Sequence, residues 1–287
     1  MKGALHDISK YKNEGYDIKI LLNLLTSEGQ ANIKDYGAKG DGSTDDTIAI
    51  QNAIDYAHLA GIETINIPDG IYMINPDVSI KLKSNVKLHL SQNAVLKAKP
   101  TSSEHYNIIK ISKVNNVEVA GGKIIGERYE HIGTEGQWGM GIGIYDSSNI
   151  TISDISISDC WGDGIYLGSN SQSGFNENIK IERFSCDNNR RSGVSLKTAK
   201  NLTITNGVVS NTNGTDPQAG LSLEPNYSTQ FLQNILIQNL QTINNNGYGL
   251  DCYFENGGKL PESSVSIVLE SCTVKGSIKG ALHDISK

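Results

Sequence analysis

Short runs of alternating apolar and polar residues recur along the chain, and an asparagine precedes most of them. The leading residues are Asn85, Asn116, Asn149, Asn178, Asn201, Asn234 and, in a seventh run, Ser264. Their successive spacings are 31, 33, 29, 23, 33 and 30 residues. Alternation with a period of two is typical of a β-strand with one buried face. The spacing therefore predicts coils of about 30 residues that repeat along the chain.

A second motif keeps the same phase: a glycine followed by apolar residues at alternate positions. It occurs at Gly141, Gly164, Gly193, Gly220 and Gly249. Each coil thus contains at least two strands, and its apolar face is covered only when neighbouring coils stack on it. The sequence predicts an all-β fold, a single-stranded parallel β-helix (solenoid) over residues 32–280. The asparagine series is interpreted as structural, because asparagine tolerates left-handed backbone and bonds its neighbours above and below.

Capping elements are expected because the open end of a solenoid exposes strand edges. A helix is predicted over Thr44–Ala60, with Thr44 as its cap and an apolar stripe formed by Ile50, Ile54 and Ala57. A second helix is predicted around Leu21–Leu25.

The ends of the chain repeat each other: the segment Gly3–Lys10 recurs identically at Gly280–Lys287. We divide the chain into a helical cap or oligomer-contact segment (1–31), the solenoid (32–280) and the repeated end segment (281–287). The repeat is interpreted as a tandem or junction feature, or as a segment exchanged between chains.

Composition narrows the function. The net charge of −6 and the pI near 5.5 argue against nucleic-acid binding, which depends on basic residues. No apolar run is long enough for a membrane span, and residues 1–12 lack a signal-peptide pattern. Four scattered cysteines suggest buried thiols, with Cys160 and Cys186 stacked in successive coils. No metal-ligand or phosphate-loop spacing is present, so no metal or cofactor is expected.

The opening of the solenoid resembles a known family. The segment from Asn32 to Thr47 (NIKDYGAKGDGSTDDT), the following helix and Ile67–Tyr72 (IPDGIY) are similar to the pectate-lyase superfamily of right-handed parallel β-helix proteins. That superfamily includes polygalacturonases, alginate epimerases and phage tail-spike depolymerases. The resemblance covers residues 32–280 and implies a right-handed solenoid that acts on polysaccharide, an extracellular or virion-associated location and, for a tail spike, a homotrimer.

The resemblance does not extend to the reaction. The motifs Asn-Thr-Asp, Gly-His-Gly and Arg-Ile-Lys of polygalacturonases are absent from the coils, as is the Asp-Pro-His-Glu of alginate epimerases. The chemistry must therefore come from other residues.

Candidate chemistry lies on the outward face of the glycine-led strands. Two positions after each glycine stand Gly143, Tyr166, Ser195, Ser222 and Asp251, and four positions after it stand Tyr145, Gly168, Lys197, Glu224 and Tyr253. Glu224 and Asp251 are predicted to be diagonal neighbours roughly 7 to 8 Å apart, which suits an inverting pair of carboxylates. Asp163 is the third candidate acid. The alternative is that Glu224 pairs with Lys197 and that Asp251 is solvated.

Substrate binding is assigned to residues around these columns: Tyr166, Lys197, Arg190, Arg191, Tyr253, Trp138 and Asp216. Trp138 either stacks on a sugar or closes a loop over the core, and His131 is expected at the surface. A glycoside hydrolase is favoured. A lyase would use Lys197, Arg190 and Arg191 with a tyrosine, and a receptor-binding or structural tail-spike module without catalysis is the third hypothesis.

Overall fold

Three ladders of parallel strands build the protein. A computed structural model describes residues 29–254 and 264–285, and this part of the chain contains 24 strands, numbered here in chain order, with one α-helix and one 3-10 turn. All strand pairs are parallel, and each strand inside a ladder pairs with strands of the preceding and following coils, whereas the strands at the ends of the ladders have one partner each. The predicted parallel solenoid is confirmed, with about eight turns.

The first ladder runs through nine strands. They are β1 (Gln30–Asn32), β3 (Thr64–Ile67), β6 (Val86–Leu90), β9 (Asn115–Ala120), β12 (Ser148–Ser153), β15 (Asn176–Asp187), β17 (Ala199–Ser210), β19 (Leu232–Gln238) and β22 (Val265–Glu270).

The second ladder joins the first because β15 and β17 are long enough to take part in both. Its other members are β2 (Asp41–Asp45), β4 (Gly70–Ile74), β7 (Ala94–Ala98), β10 (Lys123–Ile125), β13 (Ser156–Ser158), β20 (Gln241–Ile243) and β23 (Thr273–Lys275).

The third ladder is a separate sheet of eight strands, and it carries the glycine-led motif. Its members are β5 (Ile80–Lys81), β8 (His105–Ser112), β11 (Trp138–Tyr145), β14 (Ile165–Gly168), β16 (Ser192–Leu196), β18 (Ala219–Leu223), β21 (Tyr248–Tyr253) and β24 (Gly280–Ile285).

Stacked aliphatic side chains fill the interior. Along the third ladder one inward row reads Ile142, Ile165, Val194, Leu221 and Leu250 in strict register. Each of these side chains is at most 5% exposed. Because every inward position meets an equivalent position in the next coil, a substitution here disturbs at least two neighbours.

The leading asparagines form a continuous column at one corner of the solenoid. All six adopt left-handed backbone, with φ between 55° and 63°. The side-chain amide of each donates to the side-chain oxygen of its predecessor one coil earlier, at 2.8 to 3.2 Å. The predicted structural role of this series is confirmed.

The helix α1 (Thr47–Ala60) packs at the N-terminal end of the solenoid. Its predicted apolar stripe, Ile50, Ile54 and Ala57, is fully buried. The predicted start at Thr44 is wrong, because Asp41 accepts hydrogen bonds from Thr44 and holds it in strand β2. The second predicted helix, around Leu21–Leu25, lies outside the described residues, so a set of N-terminal helices is not confirmed.

The cysteine register differs from the expected one. Cys186 pairs with Ile157 of the preceding coil, whereas the backbone N–H of Cys160 donates to Asn189. The two therefore do not occupy the same point in successive coils, because the turn after β13 and the turn after β15 place them three positions apart. Both are free, buried thiols, as expected.

Residues Gly280–Ile285 of the C-terminal copy of the repeated segment are part of the solenoid. Strand β24 pairs with β21 over Tyr248–Tyr253. The sequence identity between the two copies also includes Lys2 and Lys279. The N-terminal copy lies outside the described residues. No helix within the described ranges has the length and apolar character needed to span a membrane.

The asparagine column gives a test of the fold. Asn149→Ala should lower the free energy of unfolding by about 2 kcal/mol, since alanine resists left-handed backbone and the amide ladder is broken. Asn149→Gly should cost only about 1 kcal/mol, because glycine accepts this backbone freely. Urea unfolding followed by circular dichroism measures both. Equal losses would show that the left-handed backbone is not the source of the cost.

Candidate functional site

The outward columns of the third ladder have the predicted register. Tyr166 pairs with Ser195, Ser195 with Ser222, and Ser222 with Asp251. The glycine-led alignment was therefore sufficient to place these side chains in one line. The column continues beyond the predicted set, because Asp251 pairs with His283 on β24.

Four charged side chains form a buried network on this face. The Arg191 guanidinium lies 3.1 Å from Asp163 and 2.8 Å from Glu224, and Lys197 Nζ lies 2.5 Å from Glu224. Ser222 also donates to Glu224. The four charged side chains are at most 9% exposed. The contact between Glu224 and Lys197, expected as the alternative to a catalytic role for Glu224, is thus present within a network of two acids and two bases. The solvated Asp251 that belonged to the same alternative is not found, because its side chain is 8% exposed.

The network sets the protonation of its acids. Burial alone would raise the pKa of Glu224, but Lys197 and Arg191 outweigh it and lower the pKa to about 2. Burial raises the pKa of Asp163, and Arg191 only partly opposes this shift. Burial lowers the pKa of Lys197 while Glu224 raises it. Glu224 is therefore the ionised member of the acidic pair, and Asp163 is the one that holds a proton more readily.

Asp251 lies next to this network and has its own partner. Its side chain is 8% exposed, and its Oδ1 lies 2.7 Å from His283 Nδ1. Burial raises the pKa of Asp251, and the neighbouring Glu224 adds to this shift. Because Glu224 follows Ser222 by two positions, it is the diagonal neighbour of Asp251 on the adjacent strand. The environment thus shifts the pKa values of the two carboxyl groups in opposite directions, downward for Glu224 and upward for Asp251.

An open cleft of about 380 Å³ adjoins the network at Tyr166. Two aromatic pairs line it. The rings of His105 and Trp138 stack with centroids 4.3 Å apart, and those of Tyr145 and Tyr166 meet at 5.6 Å. The remaining lining residues are Tyr106, Asn107, Lys110, Met140 and Asn170.

The cleft combines flat rings with polar groups. The Tyr145 hydroxyl donates to Asn107 at 3.0 Å, and Lys110 Nζ lies 5.7 Å from the centre of the Tyr145 ring. Burial raises the pKa of Tyr145 to about 12, so its hydroxyl stays protonated. Stacked rings beside amide and ammonium donors suit a sugar, which has apolar ring faces and hydroxyl edges.

A family model described as rhamnogalacturonase A/epimerase, pectate lyase-like, matches residues 30–281. The chain belongs to this family. Among curated proteins, the uncharacterized protein YclG of Bacillus subtilis is 31% identical over 218 residues, which are 67% of this chain and 37% of YclG. The chain spans about a third of the length of the first curated relatives that it matches.

Solved structures share the fold of this pectate lyase-like chain. The tailspike protein gp49 of Acinetobacter baumannii bacteriophage Fri1, a capsular polysaccharide depolymerase, superposes with a TM-score of 0.72 at 16% identity, covering 90% of this chain and 48% of that one. An exopolygalacturonase from Thermotoga maritima gives 0.63 at 17% identity, covering 89% and 70%. These identities establish a likeness of fold.

Other predicted binding residues of this pectate lyase-like protein lie away from the network. Arg190 covers the face of Trp161, with its guanidinium 3.7 Å from the ring centre, and donates to the carbonyl of Gly136. The side chain of Asp216 is 77% exposed and pairs with Lys279 at 3.2 Å.

Two predicted aromatic binding residues stand at opposite ends of the face. Trp138 is 37% exposed and lines the cleft. Tyr253 is half-buried on β21, where it pairs with Ile285.

A buried cluster around the single acid Glu127, behind the cleft, was not predicted from the sequence. The Glu127 carboxylate accepts hydrogen bonds from Tyr106 and from His131, whose Nδ1 lies 3.0 Å away. The His131 ring stacks on Trp161 with centroids 3.9 Å apart. The expected surface position of His131 is wrong, since only 2% of its side chain is exposed. This cluster anchors the loop that leads to Trp138, and nothing in the sequence motifs around it signals these contacts.

Metal binding has no counterpart among residues 29–254 and 264–285. No group of three or more histidine, cysteine, aspartate or glutamate side chains there is arranged to hold an ion.

The low pKa of Glu224 predicts how stability depends on pH. A carboxyl whose pKa falls from 4.5 to about 2 on folding stabilises the folded state by about 3 kcal/mol above pH 4.5. This contribution is lost as the pH falls through that window. The difference in unfolding free energy between the wild type and Glu224→Gln should therefore shrink between pH 4.5 and pH 2, as measured by urea titration.

Glu63→Gln is the matched control, because Glu63 is 65% exposed and pairs with Lys87 at the surface. Its effect on stability should be below about 1 kcal/mol at every pH. A Glu224→Gln difference that stays constant over the window would contradict the assigned protonation.

Proposed function

We propose that the protein binds a polysaccharide along the outward face of the third ladder and hydrolyses it there. The observation that carries this proposal is the position of Tyr166. It lines the aromatic cleft and stands in the same outward column as Asp251, next to the buried acids. The structural neighbours include a capsular polysaccharide depolymerase and an exopolygalacturonase. They support a polysaccharide substrate through shared fold, which by itself does not determine a reaction.

In the proposed reaction Asp251 is the proton donor. Its raised pKa keeps a proton available for the glycosidic oxygen. Glu224, which is ionised, accepts the proton of the attacking water. Diagonal positions on neighbouring strands put their Cα atoms about 8 Å apart. Inversion requires the two carboxyl groups that these backbone positions carry to lie roughly 6.5 to 9.5 Å apart. Asp163 acts through Arg191, whose guanidinium it holds against Glu224.

Substrate contacts follow the same face. Trp138 and Tyr166 bracket the cleft and would stack on sugar rings, and Lys110 and Asn107 would meet their hydroxyl or acidic groups. Lys197 and Arg191 hold Glu224 in place. We assign Arg190 to the loop around Trp161, Asp216 to the contact with Lys279, and Tyr253 to the far end of the face.

A lyase is disfavoured because its basic residues are engaged elsewhere. Arg191 and Lys197 both pair with Glu224, and Arg190 covers Trp161. A binding module without catalysis is the second candidate. The near-complete burial of Glu224 and Asp163 favours it, because a substrate must reach the acids that act on it. We place either activity outside the producing cell or on a virion, with a homotrimer as the expected assembly of a tail spike.

Binding is tested at the cleft. Trp138→Ala should raise the Kd for the bound polysaccharide about tenfold, since stacking contributes about 1 kcal/mol beyond simple burial. Affinity electrophoresis against capsular, cell-wall and plant polysaccharides measures this. Tyr129→Ala is the control, because Tyr129 is exposed on the loop that leads to Trp138 and does not line the cleft. Equal effects of the two variants would argue against the cleft as the binding site.

Cleavage is tested at the proposed proton donor. Asp251→Asn should lower kcat by about 100-fold or more without loss of binding, because it removes the acid and keeps the shape. Reducing ends report hydrolysis, and absorbance near 235 nm would report a lyase product instead. Asp154→Asn, on another face beside Arg183, should retain full activity. Binding without any cleavage by the wild type would establish the second candidate.

A further inference from the structure

His283 is the hydrogen-bond partner of Asp251 on the neighbouring strand β24, and it reaches solvent. Its Nδ1 lies 2.7 Å from Asp251 Oδ1, and 30% of its side chain is exposed, against 8% for Asp251. The imidazole ring stacks on Tyr248 with centroids 4.5 Å apart and planes 5° from parallel. Strand pairing and stacking therefore fix the ring in one orientation.

The segment that carries His283 is itself anchored. The backbone of Lys279 donates to Gly247, and its ammonium pairs with Asp216 at 3.2 Å. Leu282, the residue before His283, pairs with Leu250, the residue before Asp251. The position of the imidazole is thus held by the contacts of Lys279, directly before β24, and by the pairing of β24 with β21.

We propose that His283 is the proton relay of Asp251, so that the pair exchanges protons with solvent through the imidazole while the buried carboxyl faces the substrate. This inference rests on the proposed hydrolysis and adds a residue to it. A carboxyl buried beside the substrate has no direct route to water, and an imidazole can take up a proton on one ring nitrogen while it donates one from the other.

The relay completes the proton balance of the reaction. Asp251 gives its proton to the glycosidic oxygen, and the bond between that oxygen and the anomeric carbon breaks, with its electron pair going to the oxygen. Water adds to the anomeric carbon and releases one proton to Glu224. His283, protonated from solvent, then returns a proton to Asp251, and Glu224 releases its proton to solvent.

The charged groups around Asp251 give the relay a distinctive pH signature. Burial raises the pKa of Asp251, as does Glu224 directly after β18, whereas His283 on β24 and Lys279 before it lower the pKa. Removing the imidazole therefore leaves the carboxyl with a still higher pKa. An acid must be protonated to act, so activity persists to higher pH when His283 is absent.

The experiment compares His283→Gln with His89→Gln. Glutamine keeps a hydrogen-bond donor at position 283 but cannot carry a proton through the ring. His89 is the matched control, because it also pairs with a carboxylate, Glu118 at 3.0 Å, on the face of the first ladder. Initial rates from pH 4 to 9 are measured by reducing ends for the wild type and for each variant, with thermal unfolding as a check of the fold.

His283→Gln should reduce kcat by about tenfold to 100-fold. The alkaline limb of its pH–rate profile, where activity falls as the pH rises, should move to higher pH. His89→Gln should match the wild type in both. A folded His283→Gln protein with an unshifted alkaline limb overturns the relay, even if its rate falls, because a purely structural role lowers the rate without moving the limb. Absence of cleavage by the wild type overturns the proposed hydrolysis and the relay together.

Discussion

The in-register stacking of the third ladder is the constraint on which the candidate site depends. Each coil places the residue two positions after its glycine beside the equivalent residue of the next coil, so Tyr166, Ser195, Ser222 and Asp251 share one line. A shift of one residue would turn all of them into the core. The asparagine column at another corner holds the coils in phase, because its left-handed turns and amide ladder repeat once per coil.

Burial gives the polar face its chemistry. Outward side chains of a β-sheet are ordinarily solvated, but here Asp163, Arg191, Lys197 and Glu224 cover one another. Arg191 lies between Asp163 and Glu224, and Lys197 also pairs with Glu224, and this pairing limits the large cost of removing ions from water. The consequence is an acid of low pKa next to Asp251, an acid of raised pKa. Separation of two carboxyl pKa values by environment is what acid–base catalysis requires.

The repeats in the sequence were sufficient to predict the strand ladder, but not to predict which residues surround each side chain. The spacing of the glycines after Gly141 predicted which residues are neighbours of Glu224, and it offered the contact with Lys197 as the alternative to catalysis. It did not predict that Arg191 would join them, because Arg191 lies in a turn before β16. The motif did not predict His283 as a member of the column, because His283 follows Gly280 by three positions rather than two. The Glu127 and His131 contact depends on a loop whose path no periodic pattern encodes.

The other faces of the solenoid show why this face is the one suited to chemistry. Charged residues along the first ladder form exposed pairs such as Arg183 with Asp154 and Lys180 with Glu182, in which at least one partner is half-exposed. Water screens such pairs and leaves their acids ionised. On the third ladder, exposed aromatic rings of the cleft continue into buried acids and bases along a single line of strands. A polymer lying along that line would meet stacking surfaces first and the proposed proton donor, Asp251, a few coils later.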